Sequence, residues 1–130
     1  MPDSLLPQLN NKKKQLLIDG CDFLNIKINE PQIDQLIDYS VLLGRWNKAY
    51  NLTAIRDPFD VVRFHLLDSL AINQFLEGNN FIDVGTGAGL PGIPLAIINP
   101  HRKFTLLDSN GKKTRFLFQA KLDLGLANID

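Results

Sequence analysis

Cysteine is almost missing from this chain. Cys21 stands alone among 130 residues, so no internal disulfide can form and a reducing compartment, the cytoplasm, is the simplest home. Net charge is missing too: 14 basic residues balance 14 acidic ones, which argues against a protein that coats nucleic acid by charge alone. No apolar run approaches the roughly 20 residues of a membrane helix, and residues 1–11 lack the charged-then-apolar pattern of a secretory leader, so no membrane is expected as a partner. A metal site is not expected either, because a single His with one Asp falls short of the three or four ligands such a site needs. There is no internal repeat and no low-complexity linker. The remainder is an ordinary globular composition, 45% hydrophobic, of about one domain.

Charge is nevertheless uneven along the chain. Lys12-Lys13-Lys14 open a helix and read as a solvated face, while Arg102, Lys103, Lys112, Lys113, Arg115 and Lys121 make a basic excess towards the end.

The stretch from Phe81 to Gly92 organises the rest. Phe81, Ile82 and Val84 are strong strand formers, Gly85, Gly87, Gly89 and Gly92 punctuate the loop after them, and Pro91 and Pro94 open an apolar helix that starts near Leu90. Strand, glycine loop and helix in that order make a surface against which a flat or anionic group can lie. Three ligand classes compete for it. A phosphate loop needs Lys followed by Ser or Thr after the last glycine, and Ile93 and Pro94 stand there instead. The dinucleotide pattern GxGxxG does match from Gly87 to Gly92, but its first glycine should follow the strand directly, and that glycine is Gly85.

Asp83 weighs more than the glycines. One residue before the strand ends, its carboxylate would repel a pyrophosphate and hold an ammonium, which fits S-adenosylmethionine; the alternative is a structural carboxylate that caps the loop through its amides. Residues 103–108 read as the next strand, ending on Asp108 roughly 20 residues beyond the glycines, where such folds hold a ribose by its hydroxyls. Capping of the following helix by Asp108 or Ser109 is the plainer alternative.

In chain order, a polar lead-in runs to Asn11. A helix over residues 12–25 comes next, with Leu16, Leu17, Cys21 and Leu24 inward. Asn29 caps a second helix that reaches about Lys48, with Ile33, Leu36, Ile37, Leu43 and Trp46 on its apolar face and Gly44 as a weak point. Residues 46–53 form an aromatic, amide-rich corner in which Asn51 and Thr53 bond to backbone while Trp46 and Tyr50 pack. Asp57 and Pro58 start a helix over residues 58–76, on which His65, Asp68 and Ser69 share a side. Three neighbours on one helix rarely converge on one reacting atom, so no nucleophilic triad is read there. Residues 111–124 form a last helix ended by Gly125, and residues 126–130 approach a third strand.

The expected architecture is therefore α/β: an N-terminal helical segment, residues 1–76, packing on the first part of a Rossmann-like domain, residues 77–130. Two strands and the start of a third leave much apolar sheet uncovered, so the expectation is an incomplete part of a longer protein.

Four motifs in order carry a resemblance to a known family. They are Trp46-Asn47-Lys48-Ala49-Tyr50-Asn51-Leu52-Thr53, then His65-Leu66-Leu67-Asp68-Ser69-Leu70, then the run from Phe81 to Leu95, then Leu106-Leu107-Asp108-Ser109 with Lys112-Lys113 and Phe116-Leu117. The chain resembles, from about Ile28 onward, the bacterial RsmG family, also called glucose-inhibited division protein B. That resemblance implies an S-adenosylmethionine-dependent methyltransferase acting on N7 of a guanine in small-subunit ribosomal RNA, free or in the small ribosomal subunit, and monomeric at full length. It implies that Gly85 and Leu90 contact the cofactor, that Gly87 and Gly89 shape the loop, that Asp108 faces the ribose, and that His65, Asp68 and Ser69 lie near cofactor or RNA. Members often carry a basic residue directly before the histidine, where this chain has Phe64. Two rivals remain at the level of residues: a half-domain of a nicotinamide-dependent oxidoreductase, and a non-catalytic fragment that binds cofactor.

Overall fold

The computed structural model describes residues 5–130 and, for Leu6, the backbone alone. Among these residues six α-helices and two strands are arranged as the glycine-loop pattern requires: α1 (Leu6–Phe23), α2 (Glu30–Tyr50), α3 (Pro58–Asp60), α4 (Asp68–Ala71), β1 (Asn80–Val84), α5 (Gly92–Ile98), β2 (Lys103–Leu107) and α6 (Gly111–Leu124). α1 starts earlier than the expected lead-in allows. Pro7 stands in its first turn, where a missing amide costs nothing, and so initiates the helix ahead of Asn10 and Asn11. The first four residues of that lead-in lie outside the described residues.

α2 opens with a capping box. Asn29 accepts from the Gln32 amide while the Gln32 side chain accepts from the Asn29 amide, and Asn51 closes the helix in the left-handed region at φ 52°. Gly44 does not interrupt it.

The rod expected over residues 58–76 is helical, but not uniformly α. Between α3 and α4 the residues Val61–Leu67 form a π-helix, and Ile72–Phe75 close the rod as a 3-10 turn. Its inward side is nonetheless the one that periodicity indicates, with Val61, Val62, Leu66, Ser69 and Leu70 buried.

β1 and β2 pair in parallel, Asn80 opposite Lys103 through Val84 opposite Leu107. On the far side of β2 a third line of chain begins: Ile129 bridges Phe104 in parallel, and the side-chain amide of Asn128 donates to the carbonyls of Ala96, Asn99 and Arg102, each at 3.0 Å. β2 is thus the inner strand and β1 an edge among the described residues.

A single body of buried residues runs through these elements, including Leu17, Cys21, Leu36, Tyr39, Val62, Leu70, Ile93, Phe104 and Phe116. Trp46 of α2 packs edge-on against Phe116 of α6 with ring centroids 5.6 Å apart, so the N-terminal helices share one core with the sheet-bearing half. α5 covers one face of the sheet, pressing Gly92 onto Leu106 and Asp83. The opposite face, Ile82, Val84 and Leu107, is exposed among the described residues.

Candidate functional site

β1 ends at Val84 and the backbone enters the loop through Gly85 at φ +72°, a conformation that side chains with a Cβ rarely adopt. The Gly85 and Thr86 amides donate to Leu107 O at 2.8 and 3.1 Å, which holds the loop over the ends of both strands. Asp83 and Asp108 both bond into that loop. Asp83 Oδ2 accepts from Thr86 Oγ1 at 2.6 Å and from the Gly92 amide at 3.0 Å. Asp108 Oδ2 accepts from the Gly87 amide at 2.8 Å and its Oδ1 from the Asn110 amide at 2.8 Å. The amides of Asn110 and Gly87 hold the Asp108 carboxyl below its ordinary range, and the Lys113 ammonium adds to this.

Asp83 therefore performs the structural task that is its alternative to ligand binding, and Asp108 also ties down the loop, a role different from the helix cap its position suggests. Neither is exhausted by it. Asp83 Oδ1 makes no hydrogen bond among the described residues, and a carboxylate with one bond per oxygen, as at Asp108, keeps lone pairs for hydroxyl donors. The helix after Asp108 is capped by Asn110, whose Oδ1 accepts from the amides of Lys112 and Lys113, and not by Asp108 or Ser109.

The four glycines divide into two pairs. A Cβ on Gly85 would meet nothing within 4 Å, and one on Gly87 only Lys113 Nζ at 4.0 Å, so the front of the loop faces open space. A Cβ on Gly89 would overlap Ile93 Cδ1, and one on Gly92 would overlap Leu106 Cδ2. Gly89 and Gly92 are thus packing residues, while Leu90, half-buried, donates its amide to Thr86 O at 3.1 Å. The helix itself starts at Gly92, two residues later than the prolines suggest, because residues 87–91 wind as turns first.

Three residues that sequence reasoning did not assign to the site belong to it. Tyr39 reaches from α2 and donates its hydroxyl to Ala88 O at 2.5 Å; burial pushes this phenol far up, with the Asp83 carboxylate adding to the shift. Leu36, Tyr39 and Leu43 recur at helical spacing, so Tyr39's burial is readable but its partner, 49 residues away, is not. Thr86 stands three residues after Asp83, a spacing that suits a hydroxyl bond across a turn. Lys113 reaches the Gly87 end of the loop from the first turn of α6.

His65, Asp68 and Ser69 differ in exposure. His65 is half-buried and its Nε2 lies 2.8 Å from Thr53 Oγ1, Asp68 is exposed, and Ser69 is buried. The π-helical turn through Leu67 advances less per residue than an α-helix, so the three are not set at α-helical angles to one another. Burial pushes the His65 imidazole down, against an opposing backbone bond at Phe64 and the charge of Asp68. The neighbouring corner is built as a helix end in which the Thr53 hydroxyl accepts the Ile55 amide at 3.3 Å and Trp46 packs on Tyr50, but Asn51 finds a different partner. Asn47, buried, accepts the Thr53 amide at 2.9 Å, and the Asn51 side chain takes the Arg56 guanidinium instead of backbone.

Among the described residues no group of three or more His, Cys, Asp or Glu side chains is arranged to hold a metal, and no helix is long and apolar enough to cross a membrane.

A glycine loop closing two parallel strands, with an acid at the end of each, is an α/β arrangement with an open loop front. The family emerges from comparison. The model of the rRNA small subunit methyltransferase G family, GidB, matches residues 32–130, and the chain belongs to that family. It is 59% identical over 116 residues to the ribosomal RNA small subunit methyltransferase G of Ectopseudomonas mendocina, covering 88% of this chain and 54% of that relative. The protein of the same name from Alteromonas mediterranea is 55% identical over 114 residues, and that from Saccharophagus degradans 60% over 107, covering 88% and 82% of this chain and 54% and 48% of those relatives. The chain thus spans about half the length of the curated relatives it matches. A nicotinamide-dependent oxidoreductase finds no support in these names.

Proposed function

We propose that this chain carries the cofactor-binding part of a Rossmann-like, S-adenosylmethionine-dependent methyltransferase that modifies a guanine N7 in small-subunit ribosomal RNA, free or within the small ribosomal subunit, acting in the cytoplasm as a monomer. The observation that carries the reading is the open front of the loop, Gly85 and Gly87, flanked by Asp83 and Asp108. These residues fit the cofactor. Asp83 Oδ1 would take the ammonium, Asp108 the ribose hydroxyls, and the bare backbone of Gly85 would let the adenosyl part lie close. Leu90 would contact it from the start of the helix.

When bound, S-adenosylmethionine supplies a sulfonium-activated methyl group. Guanine N7 has an in-plane lone pair and no proton to lose, so the chain needs no general base and its task is alignment. The Tyr39 hydroxyl bond and the two carboxylate clamps fix the loop so that little ordering remains to be done on binding. His65 and Asp68 are assigned to the RNA side, with His65 held in place by Thr53, while Ser69, which is buried, would act only by seating the helix that carries them. Residues 1–76 act as a helical segment packed on the methyltransferase part, residues 77–130.

The test is calorimetric titration with S-adenosylmethionine, S-adenosylhomocysteine and NAD in parallel. Preference for the adenosyl ligands, lost in Asp83→Ala or Asp108→Ala with the fold kept, is the expected result. Preference for NAD would sink the reading.

A further inference from the structure

Lys13 occupies a place where a lysine does not belong. It precedes Leu17 and Cys21 by four and eight positions on α1, so it falls on the stripe that faces the core, and only 3% of it is exposed. The expectation of a solvated Lys12-Lys13-Lys14 face holds for Lys12, which is exposed, and Lys14 pairs with Asp34 at 2.8 Å. For Lys13 it is wrong. Among the described residues its ammonium has no ion-pair partner, and burial pushes it down with no carboxylate opposing the shift. A lysine whose stem is covered by the core keeps its ammonium at the margin of that cover, and an anion beside it would be favoured.

Lys13 lines a cavity of about 420 Å³ between α1, α2 and the chain leading into α3. Three further cations line it, Arg45, Lys48 and Arg56, and no acid does. Gly44 on α2 keeps it open, since a Cβ there would meet nothing within 4 Å. The Arg56 guanidinium is already oriented by Asn47 O and the Asn51 side chain, Arg45 and Lys48 are set on the same stretch of α2, and all three are exposed.

We propose that the cavity lined by Lys13, Arg45, Lys48 and Arg56 is a phosphate-binding site, separate from the glycine loop. Arg45 and Arg56 supply forked donors that suit phosphate oxygens, and Lys13 supplies a charge in a site partly screened from water. The phosphate is either a backbone group of RNA or a free anion. The RNA source rests on the proposed function; the free-anion source does not.

The test compares the melting temperature in inorganic phosphate with that in sodium chloride of equal ionic strength. Phosphate also stabilises proteins by exclusion from their surface, so the decisive quantity is the difference between the wild type and variants. Lys13→Met should melt well without phosphate, because it removes a buried charge, and should lose the phosphate-specific rise; Lys12→Met on the same helix should keep it. Arg45→Gln, at an exposed position, should weaken the rise in a chain whose fold is not in question. In parallel, binding of a small-subunit ribosomal RNA fragment is followed against salt. If RNA supplies the phosphate, the slope of log K against log salt falls by about 0.7–0.9 in Arg45→Gln and in Lys48→Gln. A rise with free phosphate and an unchanged RNA slope assigns the site to a free anion. Equal melting shifts in wild type, Lys13→Met and Arg45→Gln, together with unchanged RNA slopes, overturn the proposal. S-adenosylmethionine titration of the same samples keeps the two claims apart: cofactor binding with no phosphate effect removes only this site.

Discussion

The front and the back of the glycine loop use the same residue for opposite reasons. At Gly85 and Gly87 the absent Cβ leaves room that nothing in the described chain fills, whereas at Gly89 and Gly92 it leaves room that Ile93, Leu117, Leu106 and Asp83 already take. The front is partly or fully exposed and bordered by charge; at the back, Ala88 and Gly89 are buried and tied to α2 through Tyr39. A glycine pattern therefore mixes two kinds of information, and only half of this one leaves a surface open to a ligand. The other half fixes how closely a helix approaches a strand.

Substitutions can test this division. Gly89→Ala should be the most damaging, because φ +89° is strained for alanine and the new methyl meets Ile93; a loss of about 3 kcal/mol is expected in urea unfolding. Tyr39→Phe, which leaves the Ala88 carbonyl buried without its donor, should cost about 1–3 kcal/mol by the same measurement. Gly85→Ala reverses the balance. Stability should fall by only about 1–2 kcal/mol, the αL cost, while affinity for S-adenosylmethionine drops by at least about tenfold. If Gly85→Ala instead unfolds the chain, or if Gly89→Ala leaves stability intact and abolishes binding, the division is wrong. The smallest effect is expected at Asp108. Its folded-state pKa is depressed, so its contribution is complete above the unfolded value of 3.8 and is lost as pH falls from there through the folded value. Urea midpoints of wild type and Asp108→Asn should differ by a constant amount at neutral pH and converge only in that acid window.

Much of the fold is legible in the sequence because periodicity and punctuation agree. Asn29 and Pro31 fix the start of α2, Asp57 and Pro58 that of α3, and Gly125 the end of α6, each through backbone groups that a neighbour in sequence satisfies. The order strand, loop, helix, strand around Asp83 and Asp108 is legible for the same reason. Failures lie where the deciding partner is distant or the hydrogen-bond register shifts. A π-helix through Val61–Leu67 keeps the same apolar side as an α-helix, so hydrophobic spacing is blind to it and to the different exposure of His65, Asp68 and Ser69. The charge of Lys13 misleads, because its position on the stripe with Leu17 and Cys21 carries the information. Tyr39 looks like one more core residue because nothing local points to Ala88.

β1 has a consequence for how this chain behaves in company. No described strand pairs with its outer edge, and on the bare side of the sheet Ile82 and Val84 are 69% and 76% exposed. Open backbone beside β-branched side chains is a template on which further extended chain can assemble. Among the described residues, this margin is a surface on which molecules can pair, and the chain's balanced net charge does little to oppose that.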